Sequence, residues 1–205
     1  MKKNNMLWAT SPTHTKILAS PGAKALCPYC RSPVLAKCGE IVTWHWAHEK
    51  ADCDQWFEPE SAWHIGWKQL FPVEWQEVVV GSHRADIKTP EVVVELQASN
   101  ISVEELEERE HYYKDMIWVL RGQDFEDNFL IKWHDKYLSF RWKWPRQCWW
   151  FAKKPIIIDR LSCLIHVKKL YPGTPCGGWG YAITKQQFLT KCGLYRYRRD
   201  VKVGN

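Results

Sequence analysis

No stretch of the chain approaches the roughly eighteen consecutive apolar residues that a membrane-spanning helix needs, which excludes a helical membrane span. Met1-Lys2-Lys3-Asn4-Asn5 is followed by no long apolar segment, so no signal peptide is expected and the expected location is the cytoplasm. Internal repeats, a phosphate-cradling glycine motif and a Ser-His-Asp arrangement are also missing. Those absences argue against a repeat architecture, P-loop chemistry and serine-hydrolase chemistry.

What the chain does have is cysteine, tryptophan and unevenly distributed charge. Its 205 residues include 8 Cys and 14 Trp, and its 45% hydrophobic content permits a real core. Without a secretion signal the cysteines read as zinc ligands and free thiols rather than disulfides. The length suits one compact domain with an appendage or two small domains, with expected segments 1–57, 58–132 and 133–205. Residues 1–50 carry seven Lys or Arg against two acids, residues 51–130 six against eighteen, and residues 131–205 sixteen against three. An acidic middle between basic ends suits a metal site that also needs cations nearby to hold a polyanion.

Cys27-x-x-Cys30, followed by His48 and Cys53, offers three thiolates and an imidazole, the donors of a tetrahedral zinc site. His45 is an alternative fourth ligand, since Trp44-His45-Trp46-Ala47-His48 holds two imidazoles three residues apart. A redox pair or simply buried thiols are the competing readings. A zinc ion here would be structural, holding a lobe too poor in apolar residues to fold unaided. Cys148, Cys163, Cys176 and Cys192 lack paired spacing, which argues against a second zinc site.

Two acids lie on neighbouring strand-like runs: Asp86 in Arg84-Ala-Asp-Ile and Glu95 in Val92-Val-Val-Glu-Leu-Gln97. Alternation puts Glu95 and Gln97 on one face and Val94 and Leu96 on the other. Oxygen ligands so placed suit Mg²⁺ or Mn²⁺. Upstream, a helix is expected over Glu60 to Phe71, with Pro59 in its first turn and Pro72 beyond its end. It would carry Glu60, His64 and Lys68 on one face, with Trp63, Trp67 and Leu70 on an adjacent apolar stripe. The bland alternative for that polar face is a solvated Glu–Lys pair. Downstream, Ser102-x-x-Glu105 opens a helix to Asp115 bearing Arg109, Tyr112 and Tyr113, and its acids from Glu104 to Glu110 are expected on an exposed face. Strands are expected over Gln76 to Val80, His83 to Lys88, Val92 to Gln97 and Met116 to Leu120, and the last strand–helix–strand succession implies a right-handed parallel crossover.

Beyond residue 132, Phe140, Trp142 and Trp144 alternate with Arg141 and Lys143. This reads as a strand burying an aromatic face, whose cations could contact nucleic acid. Pro155 to Ile158 and Leu161 to Leu170 are expected as strand or helix pieces. Gly173 to Gly180 is expected as a loop, Lys185 to Cys192 as a short helix, and Arg196, Arg198 and Arg199 as a basic tail.

The order helix, three strands, helix, strand, with Glu60, Asp86 and Glu95 as its acids, resembles the PD-(D/E)xK nuclease core. The resemblance implies that these acids bind metal and orient water, with Gln97 standing where that family has Lys. A closer resemblance, over roughly residues 25 to 122, is to CoiA-like competence proteins. It is carried by Cys27-Pro-Tyr-Cys30, Trp44-His-Trp-Ala-His48, Asp52-Cys-Asp54, Glu60-Ser-x-x-His64-x-x-x-Lys68, Ala85-Asp-Ile87, Glu95-Leu-Gln-x-Ser99, and Arg109 with Tyr112 or Tyr113.

The expected fold class is therefore α/β: a PD-(D/E)xK restriction-endonuclease-like core with an amino-terminal zinc-binding lobe and a basic, aromatic-rich carboxy-terminal extension. The implied function is Mg²⁺- or Mn²⁺-dependent hydrolysis of DNA in competence or recombination, with DNA and recombination proteins as partners. Glu60, Asp86, Glu95, Gln97, His64 and Lys68 are the candidate catalytic residues, Asp86 and Glu95 being the direct magnesium ligands. Arg84, Ser99, Arg109, Tyr113, Arg141 and Lys143 are the candidate DNA contacts. The alternatives are a catalytically inactive nuclease fold that binds or recruits DNA, and a zinc-bearing protein-interaction module.

Overall fold

A computed structural model describes residues 5–41, 43–49, 53–56, 58, 60–160 and 163–194. The basic tail at Arg196, Arg198 and Arg199 lies outside the described residues, as do Asp52, Pro59 and Leu161. The chain forms two compact units, Met1–Lys88 and Thr89–Asn205, so the segment 58–132 is divided between them.

The first unit begins with six short strands: β1 (Asn5–Met6), β2 (Trp8–Thr10), β3 (Lys16–Leu18), β4 (Lys24–Leu26), β5 (Pro33–Lys37) and β6 (His45–His48). They form one antiparallel sheet in the order β1-β6-β5-β4-β2-β3. Its core is thin: Met6, Ala9, Ala19, Ala25, Val34 and Trp46, with the Cys27 thiol among them and Cys30 and Cys53 packed against it. Alanine contributes little buried apolar area, so Trp46 carries much of this core, its indole N–H donating to the Ile17 carbonyl at 3.0 Å.

Helix α1 runs Ala62–Lys68, and the Ser61 hydroxyl caps it by accepting from the His64 amide. Glu60 therefore precedes the helix instead of riding on it. The expected face also changes: His64, Trp67 and Lys68 are the buried residues, so the polar side of this helix points inward and is not a solvated Glu–Lys pair. Strands β7 (Gln76–Val80) and β8 (His83–Lys88) follow as an antiparallel hairpin whose turn holds Gly81 at φ 57°. Gln76 opposes Ile87 and Val78 opposes Ala85, so Glu77 and Asp86 lie between these pairs and share a face.

The second unit is one sheet with helices. Strand β9 (Val93–Gln97) pairs in parallel with β10 (Met116–Arg121) through the crossover helix α2 (Val103–Tyr113), the arrangement expected from the sequence. Ser102 caps α2, accepting from the Glu105 amide at 3.1 Å. Strands β11 (Phe129–Trp133), β12 (Leu138–Trp142), β13 (Ile156–Asp159), β14 (Leu164–Tyr171) and β15 (Cys176–Ile183) extend the same sheet. Within this unit the order is β11-β12-β15-β14-β13-β10-β9, with β10 parallel to both β13 and β9 and the other neighbours antiparallel. Helix α3 (Lys185–Lys191) closes the description, opened by a capping box between Thr184 and Gln187.

Three expectations are corrected here. Gly173 to Gly180 is not simply a loop, because Cys176–Ile183 forms strand β15. Its glycines answer to close packing: a Cβ on Gly178 would lie 2.3 Å from the Phe140 ring, and one on Gly180 would lie 2.3 Å from the His166 carbonyl oxygen. The Phe140–Trp142 alternation does form a strand, but it ends at Trp142 and leaves Trp144 62% exposed. Finally, Glu110 does not belong to an exposed acidic face. It is buried, accepting from the Trp118 indole at 3.0 Å and the Lys153 amide at 2.9 Å.

Candidate metal centre and buried carboxylate cluster

Cys27, Cys30, His48 and Cys53 present ligand atoms that all lie within 4.8 Å of one another. Cys27 and Cys30 flank a tight turn after β4, in which the Arg31 amide donates to the Cys27 carbonyl and Arg31 takes φ 61°. The Tyr29 amide donates to the Cys27 sulfur at 3.4 Å. His48 ends β6, with Nε2 3.2 Å from the Cys30 sulfur, and Cys53 Sγ is 3.8 Å from Cys27 Sγ. The hydrogen bond from Cys53, aided by His48, draws the Cys27 thiol down to about 3 against the opposing effect of burial, while the same contact pushes Cys53 up. A thiophilic dication would take the place of the proton between these two sulfurs. Three sulfurs and an imidazole match the donor set of structural zinc. His45 is not part of this group: its Nδ1 is 2.7 Å from the Thr43 carbonyl oxygen. Cys148, Cys163, Cys176 and Cys192 join no such cluster among the described residues.

A second cluster occupies the same unit. Lys68, 1% exposed, sends its ammonium to Glu60, to Glu77 Oε1 at 2.8 Å and to Asp86 Oδ1 at 3.2 Å. The three carboxylates arrive from the segment before α1, from β7 and from β8. Glu77 is fixed on its other side, accepting from the Leu7 and Trp8 amides, both at 2.9 Å. Burial pushes the Glu60 carboxyl up to about 7, and the charges of Glu77 and Asp86 add to this against the pull of Lys68. Glu77 moves down despite its burial, held ionised by Lys68, Arg84 and the amides. The Lys68 ammonium is pushed up in spite of its own burial, because Glu60, Glu77 and Asp86 surround it. Glu60 Oε2 is buried with no hydrogen-bond partner among the described residues.

Sequence reasoning selected Glu60, Lys68 and Asp86 but missed Glu77. Its signal was an acid inside the apolar run Gln76-Glu-Val-Val-Val80, a buried-strand position where an unpaired carboxylate would be costly. Its φ of 45° marks it as well. His64 lies outside this group, with Nδ1 2.8 Å from Ser61 Oγ and Nε2 3.2 Å from Glu58. Arg84 donates from Nη2 to the Asn5 carbonyl at 3.2 Å, and its amide to Asp54 at 2.6 Å.

In the second unit Glu95 is buried against Arg109, which donates to it at 2.8 Å and also pairs with Glu105. Gln97 Nε2 donates to the Ser99 carbonyl at 3.2 Å. That carbonyl also receives Arg146 at 2.9 Å. Tyr113 is buried, whereas Arg141 and Lys143 are exposed.

The geometry of the first cluster coincides with a family signature. Residues 14–55, from the strand region around β3 to the last cysteine ligand, match the model of the N-terminal domain of competence protein CoiA. The matched segment, 42 of the 205 residues, is thus similar to the amino-terminal domain of a competence protein. No curated protein and no solved structure matches the chain. No helix among the described residues is long and apolar enough to cross a membrane.

Proposed function

We propose that this protein is a DNA-processing enzyme of the competence or recombination machinery that hydrolyses phosphodiester bonds with Mg²⁺ or Mn²⁺, its amino-terminal lobe held by structural zinc. The observation that carries this reading is the convergence of Glu60, Glu77 and Asp86 on Lys68. Three carboxylates exceed the positive charge supplied by Lys68 and the neighbouring Arg84; burial chiefly raises the Glu60 carboxyl, and the charges of Glu77 and Asp86 add to that. A hard dication takes oxygen donors, so the donor set fits one.

Asp86, the member whose side chain is 23% exposed, would bind the ion, and Glu60 would complete the shell once it gives up its proton. A bound ion would polarise the phosphate and acidify an attacking water. Lys68 and Glu77, both 1% exposed, hold the other acids in place from behind. The element order and the parallel β9–β10 pair support a PD-(D/E)xK-like reading. Glu95 and Gln97 enter it through the resemblance alone, and Gln97 brings no positive charge where that family has Lys.

The test is cleavage of linear duplex, circular duplex and single-stranded DNA with Mg²⁺ or Mn²⁺. Activity is expected with either ion, to vanish on chelation and to fall at least a hundredfold in Asp86→Ala. Salt-sensitive DNA binding without any cleavage would instead establish the inactive, recruiting form.

A further inference from the structure

The outer sheet face of the second unit carries exposed rings beside cations. In the paired strands, Lys132 opposes Ser139, Ser139 opposes Trp179, and Trp179 opposes Lys169. One pair further along, Arg141 opposes Gly177, which opposes Tyr171. Residues opposed in register share a face, and this one is set apart from the core face by burial: Leu138, Phe140, Trp142, Cys176, Gly178 and Gly180 are buried on the other side. The strand positions of this outer face hold Lys132, Arg141 and Lys169 and no carboxylate.

The rings form a connected series. Tyr137 and Trp179 meet edge to face at 6.0 Å, Trp179 and Tyr181 at 5.8 Å. The Lys169 ammonium stands 5.2 Å from the Tyr171 ring centroid. Tyr137, Tyr171 and Tyr181 are 43%, 48% and 39% exposed, and with Trp179 they line a shallow groove of about 490 Å³. Gly177 puts no side chain between Arg141 and Tyr171, and the Tyr171 ring lies over it, 3.7 Å from where a Cβ would stand.

We infer that this face binds single-stranded DNA, its rings stacking on unpaired bases while Arg141 and Lys169 hold phosphates. Rings alone would suit a sugar or a peptide, but paired strand positions that hold three cations and, among the described residues, no acid favour a polyanion. Exposed aromatic faces need flat apolar partners, and a duplex hides those of its bases. The surface lies wholly within the second unit and uses none of the carboxylates proposed for hydrolysis, so the two readings fail separately.

The test is fluorescence anisotropy of the full chain, without added Mg²⁺ or Mn²⁺, on a labelled oligothymidylate of about fifteen nucleotides and on a duplex of equal length. The single strand is expected to bind more tightly. Trp179→Ala and Tyr181→Ala should each weaken it about fivefold to a hundredfold, while Tyr181→Phe, which keeps the ring, should bind as the parent does. Arg141→Gln and Lys169→Gln should each flatten the salt dependence by about 0.7 in log–log slope. Equal affinity in the ring-deleted variants, equal or tighter duplex binding, or equal competition by polyglutamate would overturn the inference. Because Tyr181 stands outside the core, its variants report on binding with the fold intact.

Discussion

Stripping zinc from the protein is expected to unfold the amino-terminal lobe. Purified chain should hold one equivalent of zinc, released by a chelator together with a red shift of the fluorescence of Trp46, which is fully buried in that lobe. The magnitude follows from how little else holds the six-stranded sheet: its strands are two to five residues long and three of its seven core residues are alanine. Structural zinc supplies roughly 10–16 kcal/mol in small domains of this kind, far beyond what such a core offers. Cys27→Ser and Cys53→Ser should therefore behave like the stripped protein, whereas His45→Ala should keep its zinc. Retention of a folded lobe without metal would reduce the cluster to buried thiols.

Replacing Lys68 by Met should be the most destabilising single change in the carboxylate cluster. The substitution keeps the volume but leaves Glu60, Glu77 and Asp86 facing one another without the ammonium they share. Removing one partner of a buried ion pair costs about 3–5 kcal/mol, which lowers Tm by roughly 6–20 °C in a chain of this size. The loss should shrink at pH 5, where carboxylates short of positive charge take up protons. Thermal melts of Lys68→Met, Glu77→Gln and the double variant would reveal the coupling, the double being far less unstable than the sum. Additive losses would mean that Lys68 does not hold the cluster.

The pH dependence of the intact cluster has a defined sign. Glu60 has a folded pKa raised from 4.5 to about 7, so the folded chain binds its proton more tightly than the unfolded chain does. Its contribution to stability is complete below about 4.5 and is lost as pH rises through about 7. Glu77 runs the other way, its depressed carboxyl stabilising the fold above its ordinary value and losing that effect only in strong acid. A dication that replaces the Glu60 proton should bind more tightly as pH rises past 7.

Much of the fold was legible because its elements are short and sharply punctuated. Val93–Gln97 and Met116–Arg121 are apolar runs flanking a helix with a serine cap, and a parallel crossover is the economical way to join them. The Cys3His cluster was equally legible, since Cys-x-x-Cys spacing reflects the local turn that makes it. What escaped depended on tertiary contact. Gly178 and Gly180 read as loop residues because no local pattern reveals that a ring and a carbonyl press on them. Glu110 read as one more surface acid because its partners, Trp118 and the Lys153 amide, lie far along the chain. The inward turn of His64 and Lys68 was hidden for the same reason: the charge that stabilises a buried lysine comes from β7 and β8, not from its own helix.

Mn²⁺ binding followed by electron paramagnetic resonance tests directly whether a dication enters the Glu60–Glu77–Asp86 cluster. Zinc-loaded protein is predicted to deplete the free Mn²⁺ signal, more strongly at pH 8 than at pH 6, and Asp86→Ala should abolish the depletion while its zinc content stays unchanged. Undiminished depletion in Asp86→Ala, or none in the parent at either pH, would contradict the proposed site.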